Sequence, residues 1–482
     1  MENSPQTFME RVSKSVFLKL ALMFFLILVL LIPMNWVNEL ISERHQRNKE
    51  VSNEIASKWG LSQVISSPLI AVPYKTFQKK IMSNDKNENY SVIEEGKEWI
   101  FLLPDQVDII SEVNPDTRKR GIYESVVYTA DIHLKGNFPE IDLKNLKVEA
   151  EHIQWSEGKL IFGISDLKGL SMSPDLQWDS ATLTMHSNMT ELDLFENSLT
   201  ADLNLTGGSS TNKQFEIKVK VRGSQSVSFF PLANHTKIDI KGNWNHPSFN
   251  GAYLPDERLV EQGNFSAHWN IPNFNRKLAK QWNGHSSRLY QSYASSQSMA
   301  AEYAEPHATS DSQFSEDLVS INFLPDVDNY QKTTRVAKYG ILIIMLTFVS
   351  LFFTEIIKKQ RVHLIQYVLI GAAMVLFYSL LLAISEHLGF NWAYAMAALA
   401  TVILITTFIR SITKNTKTAA LFASILTLFY GFIYLLLQLR DFSLIVGTVG
   451  VFIILAVLMR LSTKINWYQF EQKNLEQESN ER

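Results

Sequence analysis

Six apolar runs, each about as long as a bilayer is thick, constrain this chain more than any other feature. One lies near the start, over 16–37, and five crowd into the last third, roughly over 339–357, 364–385, 390–409, 418–437 and 442–459. About twenty residues at the helical rise cross the hydrocarbon core, so each run reads as a transmembrane α-helix. The stretch between the first and second runs carries most of the acids, bases, Asn and Ser, and alternates like a chain folded in water. Whole-chain totals conceal this division: 46% hydrophobic, 19% charged and a net charge of -3 would suit an ordinary soluble protein. The predicted fold class is therefore an integral membrane protein, an α-helical transmembrane bundle plus a mainly-β, sandwich-like extracytoplasmic domain.

Charge at the ends of the runs gives an orientation. Arg11 and Lys14 precede the first run; Lys358, Lys359 and Arg361 follow the second; Arg410, Lys414 and Lys417 follow the fourth; Arg460 and Lys464 follow the sixth. The opposite connections hold Glu386 with His387, and Arg440 beside Asp441. Positively charged ends stay in the cytoplasm, so six spans place both termini there and residues 38–338 outside. The first run begins like a secretory signal but exits through Pro33, Met34, Asn35 and Trp36 without a small-residue cleavage site, which predicts an uncleaved signal anchor. The predicted organisation is a cytoplasmic segment over 1–15, the anchor over 16–37, a polar helical stalk over 38–59, a β domain over 60–338, the five-helix bundle over 339–459 and a cytoplasmic tail over 460–482.

Within the middle domain, Phe215, Ile217, Val219 and Val221 alternate with Glu216, Lys218 and Lys220, the period of a half-buried strand. Similar alternation over 123–134, 183–205, 236–244 and 264–271, with turn signals at Gly207-Gly208, Pro231 and Gly242, favours an antiparallel sandwich. Two stretches read as mobile: 82–97, polar and acidic, and 284–315, rich in Ser, Ala, Gln and Tyr without periodicity. The chain has no cysteine, so disulfides, thiol catalysis and iron–sulfur ligation are excluded together. No dense Lys/Arg block is present, which argues against a nucleic-acid partner.

Searches for catalytic spacing give negatives. There is no phosphate-cradling glycine loop and no His-Glu-x-x-His pair, and the 11 His are dispersed, so neither a cofactor nor a metal site is predicted. Gly163-Ile164-Ser165 begins like a nucleophile elbow but lacks its closing glycine, so Ser165 reads as the end of a strand and no catalytic residue is assigned. Polar residues in and beside the spans are the remaining candidates, because a charge at a helix centre costs roughly 2.5–3.5 kcal/mol on insertion scales. Glu355 stands three and four residues before Lys358 and Lys359, where a local interfacial ion pair explains it. Glu386 and His387 could form a proton-responsive or cation-binding patch, against the plainer reading of a wet loop. His363 and Gln366 share one helical face and could bond to a neighbouring helix, as could the hydroxyls of Tyr378, Tyr430 and Tyr434, with packing as the default.

Long strings carry a resemblance. They include the run from Asn329 through Arg335 to Tyr339-Gly340, Phe352-Phe353-Thr354-Glu355, His363 to Gly371, and Ser385-Glu386-His387 with Gly389-Phe390. In the middle domain they include Arg120-Gly121-Ile122-Tyr123, Ile164 to Gly169, Arg222-Gly223-Ser224, the stretch from Trp244 to Pro255, and Pro68 to Tyr74. In these strings, over nearly its whole length, the chain resembles the CreD family. Ala233 after Pro231-Leu232, and Ser67 before Pro68, depart from the pattern. The resemblance implies an inner-membrane protein of Gram-negative bacteria associated with cell envelope integrity and expressed under a carbon-source-responsive two-component regulator. It implies no catalytic mechanism. The function expected is a non-enzymatic sensor or scaffold that presents its β domain to periplasmic envelope components from the lipid bilayer, its tethering at both ends holding it at a fixed height. The alternative is a transporter or exporter of an amphiphilic or small solute through the helix bundle.

Overall fold

The computed structural model describes residues 16–83, 89–187, 192, 194–195, 197–205, 213–272, 278–284, 289, 317–323, 329–358, 362–439 and 442–463. It divides into two compact units, one made of 1–48 and 327–482 and the other of 49–326. The stretch over 284–315 falls almost entirely outside the described residues.

Helix α1, Val16–Trp59, is 44 residues long and runs unbroken through Pro33. In the helical unit it is followed by α2 (Asn329–Lys338), α3 (Gly340–Lys358), α4 (Leu364–Leu388), α5 (Phe390–Thr413), α6 (Thr416–Gln438) and α7 (Ser443–Ser462). Among the described residues, five helices are both long and apolar enough to cross a membrane, and a shorter apolar helix spans Ile445–Arg460 within α7. Their shared core holds Leu30, Met34, Ile344, Phe348, Ile370, Met374, Phe377, Leu381, Ala397, Ile405, Phe422 and Leu426. Gly371 lets α1 approach closely, since a Cβ there would stand 2.3 Å from the Leu30 side chain. Phe24, Leu28, Leu376, Leu399, Leu428 and Phe452 are exposed on the opposite helix faces. Exposed apolar surface on this scale is stable only in an apolar solvent.

The other unit is mainly β. Its strands in chain order are β1 (Gln63–Ser66), β2 (Leu69–Ser83), β3 (Asn89–Leu102), β4 (Gln106–Arg120), β5 (Tyr123–Phe138) and β6 (Gly158–Gly163). Then come β7 (Asp175–Trp178), β8 (Ala181–Thr184), β9 (Ser198–Leu203), β10 (Lys213–Ser224), β11 (Ser226–Phe230) and β12 (His235–Gly242). The last are β13 (Pro247–Gly251), β14 (Glu257–Glu261), β15 (Asn264–Pro272), β16 (Gln281–Gly284) and β17 (Val319–Phe323). They form an eight-stranded sheet ordered β14-β15-β12-β4-β5-β10-β7-β8, a five-stranded sheet ordered β16-β3-β2-β6-β9 and a four-stranded sheet ordered β1-β11-β17-β13.

Pairing is antiparallel except for β1 with β11 and β4 with β12, so the purely antiparallel expectation needs correction at those two places. Both parallel pairs join strands more than a hundred positions apart, which leaves the chain room for the crossover that a parallel pair requires. Alternation reads directly as burial in β10, where Phe215, Ile217, Val219 and Val221 are buried in the core that also holds Val107, Ile109, Ile132, Leu134, Ile238 and Trp269.

The stretch over 82–97 is not the mobile segment its composition suggests. Apart from 84–88, outside the described residues, it closes and continues a hairpin whose register runs from Ile70↔Leu102 to Ser83↔Asn89. Its acids find lysines across the ladder: Lys75 pairs with Glu95 at 2.5 Å and Lys80 with Glu94 at 3.2 Å. Opposite charges on facing strands support a ladder that an acidic strand alone would not.

Candidate functional site

The densest polar construction in the β unit surrounds the last turns of α1 and the segment leading into β1. Glu54 accepts from Lys58 at 2.7 Å and is ion-paired with Arg120, and these contacts, Arg120's first, hold its carboxyl down to about 2. Ser52 and Ser125 share a hydroxyl hydrogen bond of 2.8 Å. The Trp59 indole N–H donates to the Tyr128 carbonyl at 3.2 Å, and the guanidinium groups of Arg118 and Arg222 each lie 5.0 Å from the Trp59 ring centroid. Cation–π contacts of this kind fix the ring and screen its face.

Helix α1 ends at Gly60 because nothing larger fits. Its φ is +151°, and a Cβ would stand 2.6 Å from the Arg222 carbonyl oxygen. Past it, each residue from Leu61 to Val64 is bonded, through backbone or side chain, to a distant part of the β unit. The Leu61 N–H donates to Asp166 Oδ2 at 2.9 Å, the Ser62 hydroxyl to the Ser224 carbonyl at 3.0 Å, and the Ser224 hydroxyl to the Gly60 carbonyl. Gln63 is fully buried and its amide nitrogen donates to the carbonyls of Asp166 and Arg222, both at 3.1 Å. Ser165 accepts from the Val64 N–H at 2.8 Å and donates to the Ser62 carbonyl at 3.0 Å. That hydroxyl is committed to the backbone of the joint. Arg120, Ile164 to Gly169 and Arg222 to Ser224 are separate strings in the sequence, and the fold brings all three to this place.

On the solvent face of the eight-stranded sheet, β4, β12, β14 and β15 line an open groove with Ile110, Glu112, Asn114, Asp239, Lys241 and Leu259. Ile110 and Leu259 are exposed there, and His268 is bonded to Asp239 at 2.8 Å.

The five polar residues singled out in the sequence fall at three separate places in the helical unit. Glu355, on the last turns of α3, pairs with Lys19 of α1 and accepts from the Tyr367 hydroxyl of α4 at 3.0 Å and the Val362 N–H at 3.2 Å. Its described partners thus tie three helices together; the side chains of Lys358 and Lys359, with which a local pair is expected from the sequence, lie outside what the structure describes. The carboxylate is one-tenth exposed and Lys19 one-fifth. His363 and Gln366 serve the start of α4 rather than a neighbouring helix: His363 Nδ1 accepts from the Ile365 N–H at 3.4 Å, and Gln366 Oε1 accepts from the His363 N–H at 3.0 Å. This reciprocal arrangement is a capping box, which satisfies donors that every helix start leaves over.

Glu386 accepts from the Tyr330 hydroxyl of α2 at 3.3 Å, while His387, next to it in sequence, is exposed. The Tyr330 ring in turn lies 5.9 Å from that of His45, and the Lys332 ammonium lies 5.6 Å from the Phe390 ring. Tyr394 donates to the Tyr430 carbonyl at 2.6 Å and its ring lies tilted 5.3 Å from that of Tyr434, whereas the hydroxyls of Tyr378 and Tyr430 are buried without a partner among the described residues. Sequence reasoning missed Lys19, Tyr367 and Trp59. Lys19 carried a signal, a charge inside an apolar run; Trp59 carried none that separates it from any tryptophan at a helix end.

A family model described as Inner membrane protein CreD matches residues 15–468 of this chain. Inner membrane protein CreD of Escherichia coli (strain K12) is 29% identical to it over 456 residues, 94% of either chain. Among solved structures, an M1 zinc metallopeptidase from Deinococcus radiodurans aligns with 35% of this chain and 38% of its own at 7% identity and a TM-score of 0.20. A two-domain M1 zinc metallopeptidase bound to tryptophan aligns with 36% and 39% at 5% identity and a TM-score of 0.18. Likeness at that level carries no argument about fold or chemistry.

Proposed function

Since the chain belongs to the CreD family of inner-membrane proteins, we propose that it is a non-enzymatic sensor or scaffold of the bacterial cell envelope that presents its β unit to periplasmic components. In this reading the first span is an uncleaved signal anchor, α7 is the sixth span, both termini are cytoplasmic and residues 38–338 are periplasmic, the orientation that the cationic span ends favour. The joint at Trp59 carries the proposal. A passive tether would need only a loose linker; here, hydrogen bonds from Leu61, Ser62, Gln63 and Val64, with two guanidinium groups on Trp59, lock the chain leaving α1 into the sheets. A change in the β unit, such as occupation of its open groove, then has a stiff path to the helix that precedes it.

The test is complementation in cells lacking the native protein, scored by sensitivity to detergent and osmotic stress. A chain without residues 60–320 that keeps its helices is expected to fail. Full rescue by that chain would defeat the proposal, and an epitope at position 300 reachable only from the cytosol would defeat the orientation. Movement of a solute through the bundle is the alternative, favoured by the intramembrane Glu355 with its Lys19 partner. It predicts that Glu386→Gln with His387→Ala slows solute movement in reconstituted vesicles, whereas a scaffold tolerates them.

A further inference from the structure

Strand β14 is the outermost strand of the eight-stranded sheet, paired with β15 on one side and with no strand on the other among the described residues. The turn that follows it decides which of its main-chain groups are free. Gln262 and Gly263, which alone separate β14 from β15, both have positive φ, +49° and +84°, the geometry of a two-residue type I′ hairpin. In such a hairpin the residues flanking the turn exchange both hydrogen bonds, and bonded and unbonded pairs alternate from there. The register Glu261↔Asn264, Leu259↔Ser266 and Glu257↔His268 therefore bonds Glu257, Leu259 and Glu261 to β15. It leaves the N–H and C=O of Arg258 and Val260 aimed at the open edge, where they have no partner among the described residues.

Every residue of β14 is exposed, Leu259 at 55% and Val260 at 43%. An edge this open is a template for another extended chain, and its charges select which chain. Glu257, Leu259 and Glu261 share the solvent face with the groove, while Arg258 and Val260 share the other. Glu257, Arg258 and Glu261 have no ion-pair partner among the described residues. A second copy of β14 laid antiparallel in full overlap would set Glu257 against Glu261 twice, and like charges directly opposite one another repel. A strand of the opposite pattern meets no such penalty.

We propose that β14 is a docking edge for an extended segment of a partner protein, added antiparallel, with basic residues opposite Glu257 and Glu261, an acidic residue opposite Arg258 and apolar residues opposite Leu259 and Val260. Main-chain bonds to Arg258 and Val260 hold the segment, and the side chains on either face select it. This names a protein as the class of periplasmic component in the reading above and rests on that reading for the compartment alone; binding is measured on the purified chain, so either can fail without the other.

The probe is a fluorescein-labelled peptide with the core Lys-Val-Val-Glu-Lys between Gly-Ser flanks, titrated by anisotropy into the full chain in detergent micelles. It is expected to bind about tenfold more tightly than the charge-reversed core Glu-Val-Val-Lys-Glu, in which every charged pair across the edge changes sign, and to slow hydrogen exchange over residues 257–261. N-methylation of the first Val and of the Glu, whose N–H groups face the Val260 and Arg258 carbonyls, should abolish binding. N-methylation of the second Val, whose N–H points away from the edge, should not. Val260→Pro deletes an edge donor that takes no part in the β14–β15 ladder, so the hairpin should survive while affinity for the peptide falls severalfold. Glu257→Lys with Glu261→Lys should invert the preference between the two cores. No saturable binding at millimolar peptide, equal affinity for both cores, indifference to which amide is methylated, or affinity unchanged by Val260→Pro would each overturn the assignment. So would a dimer of the full chain that Val260→Pro dissolves, which would put a second copy on this edge.

Discussion

Around Trp59, donors from Leu61, Ser62, Gln63, Val64, Ser165 and Ser224 all reach acceptors, whereas in the helical unit the hydroxyls of Thr347, Tyr378, Thr406, Thr418 and Tyr430 are buried with no partner among the described residues. The contrast follows from how each kind of backbone is satisfied. A helix bonds its own main chain internally, so its side-chain hydroxyls are not needed to hold it, and several simply bond back four residues, as in Ser350, Thr354 and Thr401. An irregular segment crossing between sheets has no such ladder and must borrow every partner from a distance. Fixed geometry in this protein therefore belongs to the joint, and most of the buried unpaired hydroxyls among the described residues belong to the bundle, with Ser111 and Thr236 their counterparts in the β unit.

The sharpest way to break this comparison is at the ion pair between Lys19 and Glu355 in the bundle. Lys19→Met leaves Glu355 without its cation and is expected to destabilise the helical unit by about 3–5 kcal/mol, while Lys19→Met with Glu355→Met recovers most of the loss. Thermal unfolding in detergent micelles measures both, and equal losses in single and double variants would mean that the pair does not hold the helices. Next in size, Gly60→Ala forces a Cβ against the Arg222 carbonyl and should cost roughly 1–3 kcal/mol in the β unit, seen as faster hydrogen exchange over residues 60–66 with exchange in α4 to α6 unchanged. Exchange that rises in both units would erase the distinction between them. Tyr378→Phe removes an unpartnered hydroxyl, so stability should change by less than about 1 kcal/mol or increase. A clear loss would reveal a partner for that hydroxyl.

Acid supplies the smallest perturbation. The Glu54 carboxyl lies at about 2 in the folded chain against an ordinary 4.5, so whatever it contributes is present above the latter and fades as pH falls toward the former. Protection against exchange over residues 50–59, relative to unstructured peptide at the same pH, should accordingly fall between pH 4.5 and pH 2, and Glu54→Gln should flatten that response.

How much of this was legible beforehand depended on how local each cause is. Apolar runs and the alternation in Phe215 to Val221 act within a few residues, and they announce helices and a half-buried strand without outside help. The β2–β3 hairpin was hidden because Glu94 and Glu95 look like the makings of a solvated loop until Lys80 and Lys75 are set opposite them. The joint was hidden more deeply: Ser62 and Ser224 stand 162 positions apart, and nothing in either reports the other. Glu355 was noticed for the right reason, a costly charge in an apolar run, but its partner lies 336 positions away on α1. His363 and Gln366 were read as reaching outward, although their spacing of three is also that of a reciprocal cap.

That cap differs in kind from the one that starts α6, where Asn415 Oδ1 accepts from the Lys417 N–H at 2.9 Å. There one side-chain oxygen also takes the Thr418 N–H, at 3.4 Å. His363 instead closes its turn together with Gln366, whose Oε1 returns a bond to the N–H of the capping residue itself. Of these two helices, one begins on a single side chain and the other on a pair, so that either member of the pair can be lost only at the expense of the other's purpose.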